Sequence, residues 1–483
     1  MSLPHLPWNS PGAHTDDPCI GDTGRTLSYR TVESRAAAFA EQLRDLGVRE
    51  GDVVAIMLPN RVELLIGMLG AWRMGATVTP INPTFTSREL EYQLTDSGAR
   101  ILVAGEGTEA SVQTIAPDDM RLLPAEPIDT PQIAPHDVAL LVYTSGSTGQ
   151  PKGVILEHAN LAAMATQMAT HFQLTRNDRA LLVLPLFHVN SICVTFLAPM
   201  VAGASVTLLE RFAPDSFLEA IDSVRPSYFS GVPAIFAKLA ELADGPAHRW
   251  SSLRFAICGA APASKELLSR CEERFGLVIA EGYGLTEATC ASCCNPIGGV
   301  RKPGTVGPAL PGQRVAIMDP HGTLLPPGSR GEVVVTGPTV MRGYLGRPDA
   351  TAEALRDGWL HTGDVGVLDE DGYLTLVDRI KDMIIRGGEN LYPKEIESFL
   401  ATHPDVLEAA VVGCPHDALG EVPVAYVTLR PGHATSVADL IEHCRTGLAK
   451  IKVPAHLEIL EELPRNPVGK VDKPTLRRQL AAA

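Results

Sequence analysis

The segment Tyr143–Gly153 combines the residue types that hold phosphate groups in proteins. Its sequence is YTSGSTGQPKG, and an apolar run, Val138–Val142, leads directly into it. Its glycines allow the backbone to approach a ligand closely, its hydroxyl side chains offer hydrogen bonds, and Lys152 adds a positive charge. The segment therefore predicts a phosphate-binding loop. It differs from the P-loop of kinases and GTPases, because Pro151 precedes the lysine and Gly153 follows it, where that motif requires Gly-Lys-Ser/Thr.

The elements that hold this loop follow from the spacing of apolar residues. Two early segments, Tyr29–Leu46 and Val62–Met74, repeat apolar residues at helical intervals. Short apolar runs are predicted as strands: Val53–Leu58, Thr77–Ile81, Arg100–Ala104, Val138–Val142, Ala180–Pro185, Ser205–Leu209, Arg254–Cys258 and Leu277–Ala280. Alternating strands and helices predict an α/β fold, with a large N-terminal domain of mostly parallel sheets flanked by helices. Ligands of such sheets gather at the carboxyl ends of the strands.

The C-terminal part of the chain has a different pattern. Short β-rich runs divided by turn residues fill Gln313–Val377 and predict an antiparallel β subdomain. From residue 381 onward, short helices and strands indicate a small α+β domain, with Pro393 in the first turn of a helix. Because 483 residues exceed one ordinary core, we predict two domains, residues 1–380 and 381–483. The late segment Leu463–Lys473 is predicted to be an exposed loop.

Composition restricts the class of protein. The formal net charge of −15 argues against a nucleic-acid surface, so a phosphate ligand has to be held by local positive groups. The nine cysteines are scattered through apolar or helical segments, which is typical of buried, reduced thiols in a cytoplasmic protein. Cys290, Cys293 and Cys294 cluster, but they lack the paired ligand spacing of a zinc or redox site, so that alternative is disfavoured.

Two segments bear on export and membranes. Residues 1–9 lack the basic segment and apolar core of a signal peptide. The uncharged stretch Ser191–Leu209 approaches the length of a membrane span, but Pro199 and Gly203 divide it. A buried helix followed by a strand is the better interpretation. We therefore expect a cytoplasmic protein without a membrane span.

The phosphate loop resembles the AMP-binding signature of the adenylate-forming superfamily, which includes acyl-CoA synthetases, carrier-loading adenylation domains and luciferase. Further segments resemble family motifs and occur in the family's order: Glu281–Glu287, Thr362–Asp364, Asp378–Asp382 and Asn466–Lys470. Matches in this order, spread over most of the chain, identify it as a member of the superfamily.

The resemblance implies a two-step reaction. A carboxylic acid attacks the α-phosphate of ATP, pyrophosphate leaves, and the acyl group of the resulting adenylate passes to a thiol. The implied cofactors are ATP, Mg²⁺ and either coenzyme A or carrier-bound phosphopantetheine. The first step requires charge neutralisation more than acid–base chemistry. Lys381 matches the family's hinge position, which implies that the small C-terminal domain is mobile.

The resemblance also assigns roles to single residues. Lys470 bridges the carboxylate and the α-phosphate, Thr286 contacts the α-phosphate, and Glu287 ligates Mg²⁺. His188 lies where related acyl-CoA synthetases have a gating or acyl-lining residue. The implied nucleotide-binding residues are Thr144, Ser145, Gly146, Ser147, Thr148, Gly149, Lys152, Gly259, Ala260, Ala261, Pro262, Tyr283, Asp364 and Arg379. Taken alone, Glu287 is more typical of a solvated carboxylate at a helix start, and His188 is more typical of a packed side chain.

The identity of the acid remains open at this stage, although an α-amino acid is disfavoured. Amino-acid-activating relatives place an aspartate in a Phe-Asp-x-Ser pattern, whereas this chain has Phe187–Asn190 with His188 at that position. The pocket candidates include no arginine that could bind a second carboxylate: His188, Asn190, Ser191, Tyr228, Ser230, Gly231, Cys258 and Gly282. An acyl-CoA synthetase is the preferred hypothesis. The alternatives are an enzyme that loads an aryl, fatty or β-amino acid onto an acyl carrier protein, and a catalytically silent nucleotide-binding protein.

Overall fold

The computed structural model describes residues 3–123, 132–144, 150–242, 249–261, 263–465 and 471–482. The chain divides into two compact units. The first unit comprises Met1–Ala316, Val334–His361 and Asp369–Leu374, and the second comprises Ile317–Val333, Thr362–Leu368 and Thr375–Ala483. The predicted domain boundary between residues 380 and 381, and the mobility of the small domain, stay predictions.

The helices and strands of the described residues are as follows. The α-helices are α1 (Tyr29–Asp45), α2 (Val62–Arg73), α3 (Ser87–Ser97), α4 (His158–His171), α5 (Ala198–Ala202), α6 (Pro214–Val224), α7 (Pro233–Glu241), α8 (Lys265–Phe275), α9 (Pro348–Ala354), α10 (Pro393–Leu400), α11 (Val437–Gly447) and α12 (Lys473–Ala482). The strands are β1 (Pro18–Gly21), β2 (Thr26–Ser28), β3 (Val53–Met57), β4 (Thr77–Pro80), β5 (Ala99–Ala104), β6 (Gln113–Ile115), β7 (Val138–Thr144), β8 (Lys152–Glu157), β9 (Arg179–Leu182), β10 (Ser205–Leu208), β11 (Tyr228–Gly231), β12 (Phe255–Cys258), β13 (Val278–Tyr283), β14 (Cys293–Cys294), β15 (Arg314–Met318), β16 (Arg330–Thr336), β17 (Gly343–Tyr344), β18 (Leu355–Arg356), β19 (Trp359–Leu368), β20 (Leu374–Arg379), β21 (Ile384–Arg386), β22 (Glu389–Leu391), β23 (Val406–His416), β24 (Gly420–Leu429) and β25 (His456–Ile459).

Two large sheets organise the first unit. One has the strand order β14-β13-β12-β11-β9-β10-β1-β2, and β13 to β1 in this order are parallel neighbours. The other has the order β17-β8-β7-β4-β3-β5-β6, and β7 to β6 are parallel. The central strands are apolar and buried along their whole length, as parallel sheets covered on both faces require. The predicted α/β class is confirmed.

Helix α3 is fixed by its own sequence signals. Thr86 and Glu89 form a capping box, in which the Thr86 side chain accepts the Glu89 N–H and the glutamate carboxylate accepts the N–H of Thr86. Gly98 ends the helix with a left-handed φ of 66°. Leu90 and Leu94 are buried on one face of the helix. The helix is therefore held at both ends and along one side.

The second unit contains a small α+β module. Its sheet has the order β22-β21-β24-β23, with β25 beside β24. Helices α10 and α11 contribute Ile396, Leu400 and Leu440 to a core with the inner residues of β23 and β24. A further sheet, β15-β16-β19-β18 with β20 beside β19, occupies the predicted β subdomain. Helix α10 begins at Pro393, as predicted.

Two expectations about local structure differ from the fold, and one element was not predicted. The unpredicted element is strand β8, which follows the phosphate loop antiparallel to β7 before helix α4 begins. The strand predicted at Leu277–Ala280 continues to Tyr283. Leu463, predicted to be exposed, is buried in a cluster with Val412 and Tyr426, which removes its apolar side chain from water.

The uncharged stretch at Ser191 is a π-helix, Ser191–Leu197, that continues into α5, followed by strand β10. Among the described residues, no helix combines the length and apolar composition needed to cross a membrane. The nine cysteines are free thiols, and all except Cys414 are buried. Burial raises the pKa values of Cys290, Cys293 and Cys294, which keeps these thiols protonated.

Candidate active site

The candidate site begins at the shared carboxyl edge of strands β9, β11, β12 and β13. Gly231, Cys258 and Glu281 lie side by side in the strand register at this edge. The N–H of Gly259 donates to the carbonyl of Gly231 over 3.2 Å, which continues the pairing one residue beyond the strands. Neighbouring strands therefore lead into the predicted site segments, residues 187–190, 259–262 and 281–287. This agrees with the expectation that ligands gather at the carboxyl ends of the strands.

Asn60 fixes the path of the chain toward His188. Its side-chain amide donates to the carbonyls of Leu184 and Leu209, at 3.0 and 3.1 Å, and its oxygen accepts the N–H of Leu186 at 2.9 Å. Asn60 is buried, so these bonds satisfy its polar atoms. His188 follows in a turn closed by its N–H to the carbonyl of Pro185. The sequence analysis missed Asn60, since its partners are more than a hundred residues away.

The loop after β12 carries backbone strain at a predicted nucleotide-binding position. Ala260 has a φ of +66°, which costs a residue with a side chain about 1–3 kcal/mol. Ala260 and Ala261 are exposed, whereas Gly259 is buried. The Glu281 carboxylate accepts the N–H of Ala263 just beyond this loop, and burial raises the pKa of Glu281 to about 7. Strain of this kind persists at sites that hold a ligand in a defined position.

The turn that carries Glu287 requires a glycine. A Cβ on Gly284 would lie 1.7 Å from the carbonyl oxygen of Cys290, so only glycine allows the chain to fold back here. The following 3-10 helix, Thr286–Ala288, contains two of the four predicted catalytic residues, Thr286 and Glu287. The N–H of Met341 donates to the carbonyl of Glu287 at 2.8 Å, which ties this turn to the segment before β17. Thr286 and Glu287 are half-buried and remain accessible.

Tyr344 connects the phosphate-loop lysine with the predicted metal ligand. Its hydroxyl donates to Oε1 of Glu287 at 2.8 Å, and the ammonium of Lys152 lies 5.2 Å from the centre of its ring. Strand β17 holds this tyrosine in place, because it pairs with β8 at Tyr344↔Val154. The arrangement brings a cation and a carboxylate from distant parts of the chain to one aromatic side chain. The sequence analysis did not identify Tyr344, since no local pattern marks a two-residue strand.

This group of three residues has the charges that a metal–triphosphate ligand needs. In the described part of the chain no carboxylate pairs with Lys152, so its charge is not neutralised by a protein anion. The described part of the chain also contains no group of three His, Cys, Asp or Glu side chains that could hold a metal on their own. Mg²⁺ typically takes one or two carboxylates and completes its shell with water and phosphate oxygens. Glu287 therefore fits Mg²⁺ bound together with ATP rather than a separate metal centre.

The predicted ribose-binding residues lie in the second unit and form a pair. Oδ1 of Asp364 is 3.0 Å from Nε of Arg379. The N–H of Asp364 donates to the hydroxyl of Thr362, whose own proton is donated to the carbonyl of Val333 at 2.7 Å. Asp364 is buried, and Lys381 follows directly after β20. Ser145–Gly149, Pro262 and Lys470 lie outside the described residues, so their assignments stay predictions.

The pocket candidates supply neutral polar groups. Ser230 donates its hydroxyl to Oδ1 of Asn190 at 2.9 Å, and the hydroxyl of Tyr228 donates to the carbonyl of Val194 at 2.8 Å. The hydroxyl of Ser191 is buried and has no hydrogen-bond partner among the described residues. The π-helix on which it lies is a form that occurs mainly at functional sites. Tyr228 is committed to the backbone, which leaves His188, Asn190, Ser191 and Ser230 as the polar candidates.

The site and fold together define a ligase that activates carboxylic acids with ATP. Residues 8–345 match the family model described as AMP-binding enzyme, and residues 395–470 match the AMP-binding enzyme C-terminal domain. The chain belongs to the AMP-binding enzyme family, and within it to the AMP-forming acid–thiol ligases of the acyl-CoA synthetase type. The predicted superfamily is thus confirmed, and the catalytically silent alternative loses its basis.

Three known proteins illustrate this similarity. A feruloyl-CoA synthase from Amycolatopsis sp is 39% identical over 465 residues, which are 94% of each chain. The crystal structure of ATP-bound MatB from Rhodopseudomonas palustris has a TM-score of 0.93 and 32% identity, and the match covers 99% of this chain and 98% of that one. The o-succinylbenzoate coenzyme A synthetase (MenE) from Bacillus subtilis, in complex with ATP and magnesium ion, has a TM-score of 0.88, 33% identity and 99% coverage of both chains. ATP and Mg²⁺ therefore fit the family.

Proposed function

We propose that the protein activates a carboxylic acid without a second acidic group and transfers its acyl group to coenzyme A. The observation that carries the activation step is the contact of Tyr344 with both Lys152 and Glu287. A cation and a carboxylate held at one point suit a triphosphate with its metal ion. Carrier-bound phosphopantetheine, the alternative acceptor, is not favoured by any specific contact in the described residues.

Each charged residue has a defined part in acyl-adenylate formation. Lys152 neutralises charge on the phosphates that leave as pyrophosphate, and Lys470 neutralises the α-phosphate while the acid's carboxylate approaches it. The carboxyl oxygen forms the new bond to phosphorus as the bond to the bridging oxygen of pyrophosphate breaks. Glu287 would hold Mg²⁺, which would supply positive charge beside the leaving phosphates. Asp364 accepts hydrogen bonds from the ribose hydroxyls, while Arg379 holds its carboxylate in position.

Coenzyme A is the proposed thiol because similar proteins, such as the feruloyl-CoA synthase and the o-succinylbenzoate coenzyme A synthetase, carry it in their names. The acid is proposed from the charges around the pocket candidates. Asn190, Ser191 and Ser230 are uncharged, and one strand neighbour of Cys258 is Glu281, itself an acid. Among the pocket candidates, His188 is the one residue that can carry a positive charge, so a second carboxylate or a sulfonate on the substrate would find neither an arginine nor a lysine there as its counter-ion. Aryl and fatty monocarboxylic acids do not require one.

A panel of acids tests this proposal. Purified protein, ATP and Mg²⁺ are combined with ferulic, fatty, β-amino, α-amino and dicarboxylic acids, and pyrophosphate release is measured before and after CoA is added. We expect release with a monocarboxylic acid, no release when Mg²⁺ is chelated, and a CoA thioester once CoA is present. If a dicarboxylic or α-amino acid were the best substrate, the proposed pocket would be wrong.

Removing the ribose-binding carboxylate is expected to weaken ATP binding. Asp364→Ala removes a positioned charged acceptor, and such hydrogen bonds contribute about 1.5–3 kcal/mol, so ATP affinity should fall about tenfold or more. Calorimetric titration of ATP measures this directly. Asp417→Ala, an exposed carboxylate elsewhere in the second unit, is the matched control and should leave ATP affinity unchanged. Equal affinities in both variants would remove the ribose role.

A further inference from the structure

Helix α3 contacts both stems of the phosphate loop. The hydroxyl of Tyr92 donates to the carbonyl of Pro151 at 2.7 Å, directly before β8. The hydroxyl of Tyr143, near the end of β7, donates to Oδ2 of Asp96 at 2.8 Å. Tyr92 and Asp96 are four residues apart and therefore lie on the same face of the helix. One helix face thus holds the chain entering the loop and the chain leaving it.

The two tyrosines also pack against each other and against the second stem. Their rings meet edge to face with centroids 6.5 Å apart. A Cβ on Gly153 would lie 3.1 Å from the ring of Tyr143, so the glycine lets β8 approach this ring closely. Burial, followed by the hydrogen bond to Asp96, raises the pKa of Tyr143, so its hydroxyl stays protonated and remains a donor.

Asp96 receives a second bond from the opposite side. Arg347 donates to its Oδ1 at 2.8 Å, and the side chain of Asp96 is only 14% exposed. Arg347 follows β17 closely, so this bond joins helix α3 to the segment that carries Tyr344. The carboxylate is thus satisfied by a tyrosine and an arginine from two other parts of the chain.

The helix itself is anchored independently of the loop. Gln93, which lies between Tyr92 and Asp96, donates its side-chain amide to the hydroxyl of Thr79 at 2.8 Å and to the carbonyl of Pro80 at 3.2 Å. These partners belong to β4, next to β7 in the sheet. With its capping box and its buried leucines, α3 is a fixed support for the loop stems.

We propose that Tyr92, Asp96 and Tyr143 are positioning residues that set the separation of the two loop stems before ATP binds. The proposal rests on the proposed function, in which the loop holds the β- and γ-phosphates. A loop whose ends are fixed loses less conformational entropy when it closes on a ligand. These residues should therefore favour binding of ATP and pyrophosphate, and they should not affect AMP, which lacks the phosphates that the loop holds.

The test compares ATP and AMP affinities in tyrosine variants. Tyr92→Phe and Tyr143→Phe keep the rings and remove one hydroxyl each, and the double variant removes both. A neutral hydrogen bond, such as that of Tyr92, contributes a factor of about 3 to 10, and one to a carboxylate, such as that of Tyr143, contributes about tenfold or more. The double variant should therefore bind ATP about 30- to 100-fold more weakly while AMP affinity stays within about twofold. Calorimetry measures both affinities, and thermal unfolding is recorded for every variant.

Tyr29→Phe is the matched control. Tyr29 is fully buried, and its hydroxyl donates to the carbonyl of Ala204 at 2.7 Å, so its loss also removes a buried bond to the backbone. This variant should lower the melting temperature and leave the ratio of ATP to AMP affinity unchanged. A wild-type protein that releases pyrophosphate, with loop-stem variants that keep its affinity ratio, would overturn the positioning role alone. A wild-type protein that binds neither nucleotide would overturn the proposed function and this role together.

Discussion

Lys470→Ala is expected to lower the rate of acyl-adenylate formation about 10²- to 10³-fold, the usual effect of removing one preorganised group that stabilises a developing charge. By the family resemblance, this ammonium neutralises the carboxylate and the α-phosphate as they meet. Transfer of the acyl group from an adenylate to a thiol involves no attack at phosphorus. The same variant should therefore keep most of its activity when acyl-adenylate and CoA are supplied directly.

Two assays on the same preparation separate these steps. Pyrophosphate release reports the first, and thioester formation from synthetic acyl-adenylate reports the second. Lys450→Ala is the control for loss of a positive charge, because Lys450 is exposed and belongs to the same unit. We expect it to retain both activities. Equal losses of both steps in Lys470→Ala, together with a lower melting temperature, would mean that this lysine stabilises the small domain rather than the reaction.

The parts of the fold that were predictable are those with local causes. Thr86 and Glu89 define the start of α3 by two reciprocal hydrogen bonds within a segment of four residues. Pro393 starts α10 because its fixed φ suits a first helical turn. Strand β8 was missed for the opposite reason. Its residues become a strand only by pairing with β7 on one side and β17 on the other. Pairing partners of this kind do not appear in the local pattern.

The residues of the candidate site also divide into those that a local motif predicts and those that only tertiary contacts reveal. Glu287, Lys152 and Asp364 were identified through motifs that recur in a family, and the structure places the first two beside a common tyrosine. Tyr344 and Asn60 were missed, because the partners to which they donate lie 57 residues away for Tyr344 and more than a hundred for Asn60. Their types alone carry no signal, since a tyrosine after glycine or an asparagine before a helix is common in loops. Only tertiary pairing shows what they hold.

Substitutions of Glu287 and of Tyr344, which donates to it, are expected to have the second large effect on the rate of acyl-adenylate formation. Glu287→Gln removes the negative ligand proposed for Mg²⁺, so acyl-adenylate formation should fall at least about 10²-fold. Tyr344→Phe keeps the ring against Lys152 and removes only the hydroxyl bonded to Glu287. Loss of a group that orients a metal ligand typically costs 10- to 100-fold in metal affinity or activity, so we expect about tenfold here.

Calorimetric titration of ATP with and without Mg²⁺ checks, independently of catalysis, that Glu287→Gln has a larger effect than Tyr344→Phe. In the wild-type protein Mg²⁺ should strengthen ATP binding. Glu287→Gln should abolish this strengthening, and Tyr344→Phe should reduce it and require a higher Mg²⁺ concentration. Tyr344→Leu also removes the ring beside Lys152, so it should weaken ATP binding even without Mg²⁺, which Tyr344→Phe should not. If Tyr344→Phe and the wild-type protein responded identically to Mg²⁺, the hydroxyl would serve packing alone, and Glu287 would hold its position without it.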